Sequence, residues 1–338
     1  MKKVKFFDST LRDGSHALKQ KLTENQIESY CKVIDNAHMH TVIVGHGNGI
    51  GASSIQMGLC ELDEIEMLKI AKRNLPGTTL GAFVTVGFGT IEEHVMPAIN
   101  AGAEVFCIAS HCTEANTQKK HIQYLVDMGK EVYGVLMNIH LADAPMILKQ
   151  AKLIESYGAD GVILMDSAGA STPKKVAGLV SALTSELKME VGFHPHNNLG
   201  LAVANAYTAI ESGATIIDGT VGGFGAGAGN CQLEALLALL LKENIPTSSK
   251  LYPMLDASRD VISKVMGYNK MIDSTCIISG YAGVVSTFKT RVEKMAEQYN
   301  VDPRDIFIEL GNKKAIAGQD DLILEVVQNL REKKGKLQ

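Results

Sequence analysis

Short apolar runs alternate with longer amphipathic stretches from the amino terminus to about residue 245. The runs are rich in Val, Ile and Phe, a composition that is typical of buried parallel strands. Between them lie helix signals, such as the capping box of Thr23 and Gln26 and the helix start at Thr172. The predicted strands are Val4–Asp8, Thr41–Val44, Thr79–Val84, Val105–Ala109, Val132–Met137, Val162–Met165, Val191–His194 and Thr215–Asp218.

Repetition of this strand–helix unit predicts an α/β fold of the (β/α)8 TIM-barrel type, with a doubly wound open sheet as the alternative. Gly102, Gly158 and Gly213 support the repeat, because a left-handed residue at a helix end returns the chain to the next strand. We assign the barrel to residues 1–255 and predict a small helical C-terminal domain over 256–338. The helices predicted there are Val261–Met266, Lys289–Tyr299 and Leu322–Arg331.

Composition narrows the class of protein. The 338 residues carry a formal net charge of −4 without a basic patch, which argues against nucleic-acid binding. The longest apolar run falls well short of the roughly 20 residues that a membrane span needs. The amino terminus leads directly into a predicted strand without a signal peptide, and the six cysteines form no CxxC pair. We therefore predict a cytoplasmic protein with reduced thiols.

Charged and metal-ligating side chains follow two of the predicted strands. Arg12, Asp13 and His16 come after the first strand, and His194 and His196 end the seventh with the spacing of one strand face. Because the carboxyl ends of barrel strands meet at one rim, Asp13, His194 and His196 can converge on a divalent cation. Taken alone, the two histidines would more often be an ordinary polar strand end, and Arg12 and Asp13 a local ion pair.

The same residues suggest a reaction. A cation beside Arg12 can polarise a 2-oxo acid and accept the charge of an enolate, while His16 takes a proton from a hydroxyl two carbons away. The carbon–carbon bond then breaks, although the spacing equally permits condensation. Ser167 follows the sixth strand, where it could hold a carboxylate or start a turn. The glycines of 222–229 could bind phosphate or allow close packing.

Several of these segments resemble a known family. Residues 10–16 (TLRDGSH), 194–198 (HPHNN) and 225–230 (GAGAGN) are similar to motifs of the metal-dependent pyruvate aldolases. These enzymes belong to the superfamily of isopropylmalate synthase and hydroxymethylglutaryl-CoA lyase. The narrower resemblance is to the 4-hydroxy-2-oxovalerate aldolases, and it covers nearly the whole chain. The segments that carry it are 45–49, 110–115, 166–170 and 302–321.

The resemblance implies roles for single residues and for the C-terminal domain. It implies Mn²⁺ or Mg²⁺ on Asp13, His194 and His196, with His16 as the catalytic base and Arg12 steadying a pyruvate enolate. The products would be pyruvate and an aldehyde. The C-terminal domain would contact an acylating acetaldehyde dehydrogenase, and we expect a homo-oligomer. The residues expected to contact the 2-oxo acid are Arg12, Asp13, Ser167 and His194.

Two positions depart from the family pattern. Val285 stands where the family usually has a tyrosine near the substrate, and Gln20 stands where it commonly has a second histidine. An apolar wall in place of a hydroxyl predicts a 4-hydroxy-2-oxo acid other than 4-hydroxy-2-oxovalerate. The alternative function is an acyl-CoA-dependent Claisen enzyme that acts on a 2-oxo acid with the same metal residues. A third is a binding or scaffold protein that has lost catalysis.

Overall fold

The computed structural model describes residues 3–267 and 274–335, and its centre is a closed barrel of eight parallel strands. Strands that are consecutive in the sequence are neighbours in the barrel, and the first pairs with the eighth. This confirms the predicted (β/α)8 fold and excludes the open sheet. The strands are β1 (Lys5–Leu11), β2 (Thr41–Val44), β3 (Thr79–Thr85), β4 (Val105–His111), β5 (Glu131–Met137), β6 (Gly161–Asp166), β7 (Glu190–Pro195) and β8 (Ile216–Gly219).

Apolar side chains fill the barrel and form its floor beneath the carboxyl ends of the strands. A buried cluster inside the ring includes Phe7, Ile43, Phe83, Tyr133 and Ile163. A larger apolar layer lies between the outside of the strands and the surrounding helices. The interior is therefore solid packing rather than a pore, and chemistry is confined to the rim above it.

Strand β1 continues three residues beyond its predicted end at Asp8. The polar residues Ser9 and Thr10 are buried because they find partners within the protein. The Ser9 hydroxyl donates to Asp218 (2.7 Å), and the Thr10 backbone N–H donates to Asp8 (2.9 Å). A network of buried polar groups thus replaces apolar contacts at this end of the strand, so the hydrophobic pattern stops before the strand does.

Helices surround the barrel in the predicted order. A π-helical turn over Ile91–Val95 leads into α3, and another over Ala257–Ser263 continues α9. In the described parts of the chain, no helix has the length and apolar character that crossing a membrane requires. The helices of this layer are α1 (Glu24–Ile34), α2 (Glu64–Asn74), α3 (Met96–Asn100), α4 (Lys119–Asp127), α5 (Ala144–Ser156), α6 (Pro173–Glu186), α7 (Ala202–Glu211), α8 (Leu233–Lys242) and α9 (Leu251–Asp256).

The C-terminal part is helical, as predicted, but it contains two helices that the sequence pattern did not indicate. The segment at Asp302 was expected to join helices, yet it begins one. The Asp302 carboxylate accepts from the Arg304 N–H (2.9 Å), and Pro303 takes the first helical position. The helices are α10 (Ser274–Ala282), α11 (Lys289–Tyr299), α12 (Pro303–Asn312) and α13 (Asp321–Gly335), of which α10 and α12 were missed.

The predicted division after residue 255 falls within continuous helical structure. Val261, Ile262 and Met266 still pack in the apolar layer of the barrel. A separate apolar cluster extends from Val284 to Val327. The division at 255 stays a prediction.

Hydrogen bonds fasten the C-terminal helices to the rim of the barrel. Asn198, in the loop after β7, donates its Nδ2–H to the Ser279 hydroxyl (2.6 Å). Its Oδ1 accepts from the Ser286 hydroxyl (2.8 Å). All three side chains are buried, so each bond is shielded from water. The C-terminal domain therefore covers the rim at which the candidate chemistry lies.

Candidate metal centre and active site

Asp13, His194 and His196 come together at the carboxyl ends of β1 and β7. Asp13 opens a 3-10 turn (Asp13–Leu18) soon after β1, while His194 lies in β7 and His196 follows its last residue. One ligand atom from each lies within 4.8 Å of the others, and all three residues are buried. The two histidine ring centroids are 5.2 Å apart, in agreement with the spacing of one strand face.

The protonation states of this group suit a cation. Burial alone would raise the pKa of Asp13, but the guanidinium of Arg12 and the ring of His196 hold that pKa well below its usual range. Burial lowers the pKa of His196 to about 3, although the Asp13 carboxylate opposes the shift. Near neutral pH the group therefore offers an ionised carboxylate and a neutral imidazole, as metal binding requires.

Two further residues fix the direction in which His194 offers its lone pair. The Nδ1–H of His194 donates to Oδ2 of Asp218 (2.8 Å), which leaves the lone pair on Nε2. Asn230 donates its Nδ2–H to Asp13 (2.5 Å) and to the Phe224 carbonyl (3.2 Å). Its Oδ1 must then face Nε2 of His194, at 3.1 Å. Two acceptors so placed repel each other unless a cation or a proton lies between them.

The residues present therefore fit a divalent cation. The Nδ1 of His196 is buried without a hydrogen-bond partner, which leaves another lone pair unused. Sequence reasoning missed Asp218 and Asn230, because neither belongs to a local motif of metal ligands. The signal that could have found them is position, since Asp218 lies next to the last residue of β8 and Asn230 ends the glycine-rich stretch that follows.

The glycine-rich stretch after β8 packs directly against this centre. A Cβ on Gly225 would lie 2.1 Å from Nδ2 of Asn230 and 2.7 Å from Oδ2 of Asp13. Only a residue without a side chain leaves room for those two groups to meet. Of the two interpretations of the stretch, close packing is therefore the one that the structure supports.

Arg12 places a fixed positive charge beside the metal residues. Its Nη1 donates to Oδ1 of Asp13 (2.9 Å) and to the Gly47 carbonyl (3.3 Å), and its Nη2 donates to the Ser9 hydroxyl (3.1 Å). The guanidinium carbon lies 4.5 Å from the centre of the Phe83 ring. Its Nε is buried and has no partner. The guanidinium is thus rigidly held, and its Nε–H and one Nη2–H are left over from these bonds for recognition of a carboxylate or enolate.

His16 and Ser167 border the same cavity, and each already has a partner within the protein. The Nδ1 of His16 lies 3.0 Å from Nε2 of Gln20. The Ser167 hydroxyl oxygen accepts from the backbone N–H of Asn138 (3.0 Å). Burial lowers the pKa of His16, so its ring is neutral near pH 7, as a general base must be.

A cavity of about 90 Å³ lies over these residues and is walled by both parts of the chain. Met137 and Met165 border it from the barrel, while Val285 and Thr287 border it from the C-terminal domain. A larger cavity of about 360 Å³ opens at the other end of the barrel, between the start of β7 and the start of β8. The smaller cavity is the candidate active site, because the one group of metal ligands found among the described residues lies at its wall, beside Arg12 and His16.

Comparison with known proteins places this site in a family. An HMGL-like family model matches residues 3–261, and a DmpG-like communication domain matches residues 270–332. A 4-hydroxy-2-oxovalerate aldolase of Spirochaeta aurantia is 47% identical over 324 residues, which are 96% of this chain and 95% of that protein. The chain belongs to the 4-hydroxy-2-oxovalerate aldolase family. The aldolase of that name from Pectobacterium atrosepticum is 45% identical over 332 residues, covering 97% and 96% of the two chains.

Membership in this family confirms the predicted resemblance and identifies the chain as an enzyme, a carbon–carbon lyase, rather than a scaffold. It also favours aldol chemistry over the acyl-CoA-dependent Claisen reaction. Among solved structures, the carboxyl transferase domain of Rhizobium etli pyruvate carboxylase with pyruvate and biocytin is 16% identical. Its TM-score is 0.81, and the match covers 98% of this chain and 61% of that one. At that identity the likeness supports the fold alone.

His46, in the glycine-rich loop of this aldolase after β2, predicts a loss of stability in acid. Its Nδ1 accepts from the Asn48 N–H (3.0 Å) and its Nε2–H donates to the Gly58 carbonyl (3.1 Å), so the neutral ring is fully satisfied. Burial, together with the nearby His16, lowers the pKa of His46 to about 4. In the unfolded chain it is about 6.5. The stability that His46 contributes is complete above pH 6.5 and is lost as the pH falls toward 4.

We expect the free energy of unfolding of a His46→Gln variant to fall less steeply between pH 6.5 and 5, by up to about 1.4 kcal/mol per pH unit. Glu64 provides the opposite control, because burial raises its pKa to about 7. The stability that Glu64 contributes is complete at low pH and is lost as the pH rises through 7. The free energy of unfolding of Glu64→Gln should therefore fall more steeply than that of the unmodified enzyme as the pH is lowered. Urea unfolding at several pH values, with a chelator present, measures the free energy of unfolding of both variants and of the unmodified enzyme. An equal pH dependence in all three proteins would contradict the prediction.

Proposed function

We propose that this enzyme cleaves a 4-hydroxy-2-oxo acid to pyruvate and an aldehyde with Mn²⁺ or Mg²⁺ at Asp13, His194 and His196. The observation that carries the proposal is the convergence of unused lone pairs from this group beside a buried guanidinium. Two imidazoles among the donors favour Mn²⁺, since Mg²⁺ prefers an all-oxygen shell. Asn230 would offer its Oδ1 as an additional oxygen donor.

Each residue has a separate task in the cleavage. When bound, the cation would polarise the 2-oxo group and stabilise the negative charge that develops there. Arg12 holds the carboxylate and the enolate oxygen by its planar fork, and it needs no reorganisation because its own contacts are already set. His16 accepts the proton of the 4-hydroxyl as the carbon–carbon bond breaks. Ser167 and the buried walls orient the acid and exclude water.

The substrate tail would extend along the wall that Val285 forms. Val285 is buried and borders the cavity, so it supplies a methyl surface rather than a hydroxyl donor. An apolar wall neither fixes a small aldehyde oxygen by a hydrogen bond nor crowds a longer tail as a larger side chain would. The preferred acid is therefore one with a longer or differently substituted tail than 4-hydroxy-2-oxovalerate.

The C-terminal domain would serve the released aldehyde. The match to a DmpG-like communication domain over residues 270–332 supports a protein partner for this part of the chain. An acylating acetaldehyde dehydrogenase is the partner proposed, because it would consume the reactive aldehyde. Self-association of the chain remains a prediction.

Pyruvate release from a panel of 4-hydroxy-2-oxo acids tests the function. We expect release with Mn²⁺, loss of release with excess chelator, and faster release from longer acids than from 4-hydroxy-2-oxovalerate. His16→Ala should lower kcat/KM by about 10²- to 10⁴-fold, the usual contribution of a general base. His38→Asn, on the surface after α1, is the matched control and should retain full activity.

The panel also separates the alternatives. A preference for 4-hydroxy-2-oxovalerate would refute the substrate proposal and leave the chemistry intact. If no acid of the panel yields pyruvate, but acetyl-CoA and a 2-oxo acid release coenzyme A, the Claisen function replaces the one proposed. Release that persists in chelator would exclude a metal role.

A further inference from the structure

Gln20 connects the proposed base to the loop after β2. Its Oε1 accepts from the backbone N–H of Gly47 (2.9 Å), and its Nε2 lies 3.0 Å from Nδ1 of His16. A backbone N–H can only donate, so the amide oxygen must face Gly47 and the amide N–H must face the ring. Gln20 therefore donates to Nδ1 of His16, which in turn must be unprotonated.

The contact with Gln20 also determines the state of the other ring nitrogen. A neutral imidazole carries one proton, on one ring nitrogen or the other. Since Nδ1 of His16 accepts from Gln20, that proton is on Nε2. Gly47 packs against this side of the ring, because a Cβ there would lie 2.5 Å from both Cδ2 and Nε2.

The backbone is arranged to bring this amide into place. Lys19 and Gln20 both have left-handed φ angles, 53° and 67°, which residues with a side chain rarely adopt. The Gln20 backbone N–H donates to the Ser15 carbonyl (2.8 Å), and the residue is 4% exposed. A strained backbone that buries an amide whose oxygen and nitrogen are both hydrogen-bonded, beside a proposed catalytic group, is a feature of functional sites.

We propose that Gln20 is a positioning residue that holds neutral His16 in its Nε2–H tautomer and so restrains it as a base. This inference rests on the proposed function, in which His16 takes the proton of the 4-hydroxyl. With Nδ1 turned toward Gln20, Nε2 is the nitrogen left to meet substrate, and it already carries a proton. Before Nε2 can accept a proton, its own must move to Nδ1, where the Gln20 N–H opposes it.

Gln20→Glu tests the tautomer directly. The carboxylate has the same length but only accepts, so it can bind both the Gly47 N–H and an Nδ1–H of His16. We expect Nε2–H in the unmodified enzyme, Nδ1–H in Gln20→Glu, and a mixture in Gln20→Met, which has no strong donor or acceptor. Nitrogen-15 and carbon-13 spectra of the enzyme with Mg²⁺ report the tautomer without turnover, and a His16→Asn sample identifies the signals.

The kinetic consequence is a gain of activity, which damage to the structure would not produce. Gln20→Glu should raise kcat/KM for pyruvate release about fivefold to tenfold. This factor corresponds to the one hydrogen bond, from Gln20 to Nδ1 of His16, that favours the unproductive tautomer and is absent from the variant. An Nδ1–H ring in the unmodified enzyme or an unchanged ring in Gln20→Glu would overturn the inference, and so would a switched ring without a gain in an enzyme that does release pyruvate. If Gln20→Glu does not fold, Gln20→Met provides the test, and a pure Nε2–H ring of His16 in that variant would overturn the inference.

The two proposals fail separately in this design. A tautomer that switches as expected, in an enzyme that releases pyruvate from no acid of the panel, refutes the proposed function and retains the positioning by Gln20. If the enzyme releases pyruvate in a chelator-sensitive way but its His16 carries the proton on Nδ1, the positioning by Gln20 is refuted and the proposed function is retained.

Discussion

Asp13→Asn should reduce pyruvate release by at least about 10³-fold, equivalent to roughly 4 kcal/mol of transition-state stabilisation. Asp13 is the only carboxylate in the metal group found among the described residues, and Arg12 keeps it ionised. The amide has nearly the same shape but no charge to offer a cation. Mn²⁺ affinity, measured by calorimetry, should fall by at least about 100-fold, the upper range for changes to outer-shell residues.

A thermal measurement separates this loss from misfolding. Mn²⁺ should raise the Tm of the unmodified enzyme, because a ligand that binds only the folded state stabilises it, and should leave the Tm of Asp13→Asn unchanged. Asp143→Asn is the matched control, since Asp143 caps α5 at the protein surface and asparagine caps as well. Normal Mn²⁺ binding by Asp13→Asn would disprove its assignment as a ligand.

Arg12→Lys is expected to lower kcat/KM by about 10²- to 10³-fold while the bound metal is retained. Lysine keeps the charge, but one ammonium cannot reproduce donors that reach Asp13, Gly47 and Ser9 at once and still face a substrate. The ammonium also lacks the flat face that Arg12 lays on Phe83. The loss should appear in kcat and in kcat/KM together, because the enolate forms only in the transition state.

Steady-state kinetics with metal analysis checks this expectation. Arg73→Lys, an exposed substitution on α2, should behave as the unmodified enzyme. If Arg12→Lys stays within about threefold of that rate, simple charge would suffice and the planar fork would have no role. If it loses its metal, Arg12 would act through Asp13 rather than on the substrate.

The hydrophobic pattern of the sequence was sufficient to predict the barrel but not to predict where each strand and helix ends. Strands such as Thr41–Val44 are buried on both faces, so their apolar runs coincide with the structure. β1 extends past its apolar run because Ser9 and Thr10 hydrogen-bond to buried acids, and the partner of Ser9, Asp218, lies far away in the sequence. α12 was missed because Asp302-Pro303 signals a turn as readily as a helix start.

In the candidate site, too, some residues are marked by the local sequence and others only by contacts between distant segments. Asp13, His194 and His196 could be grouped from the sequence, since each lies at or just after the carboxyl end of a strand of a barrel whose ends must meet. Asp218 and Asn230 also lie at or after the end of a strand, but no local motif marks them, and their roles depend on contacts with His194 across the rim. The tautomer of His16 was equally hidden, since it depends on a bond from Gly47 to Gln20 over a separation of 27 residues.

Because Asn198 hydrogen-bonds to both Ser279 and Ser286, exchanging the C-terminal domain between relatives would also change the active-site cavity. Asn198 holds Ser279 and Ser286 against the barrel, and Val285 and Thr287 beside them line the cavity. A chimera that takes residues 274–335 from another family member would therefore inherit that member's cavity wall along with its communication domain. Under the function proposed above, choice of substrate and choice of partner would then be encoded in one transferable piece of sequence.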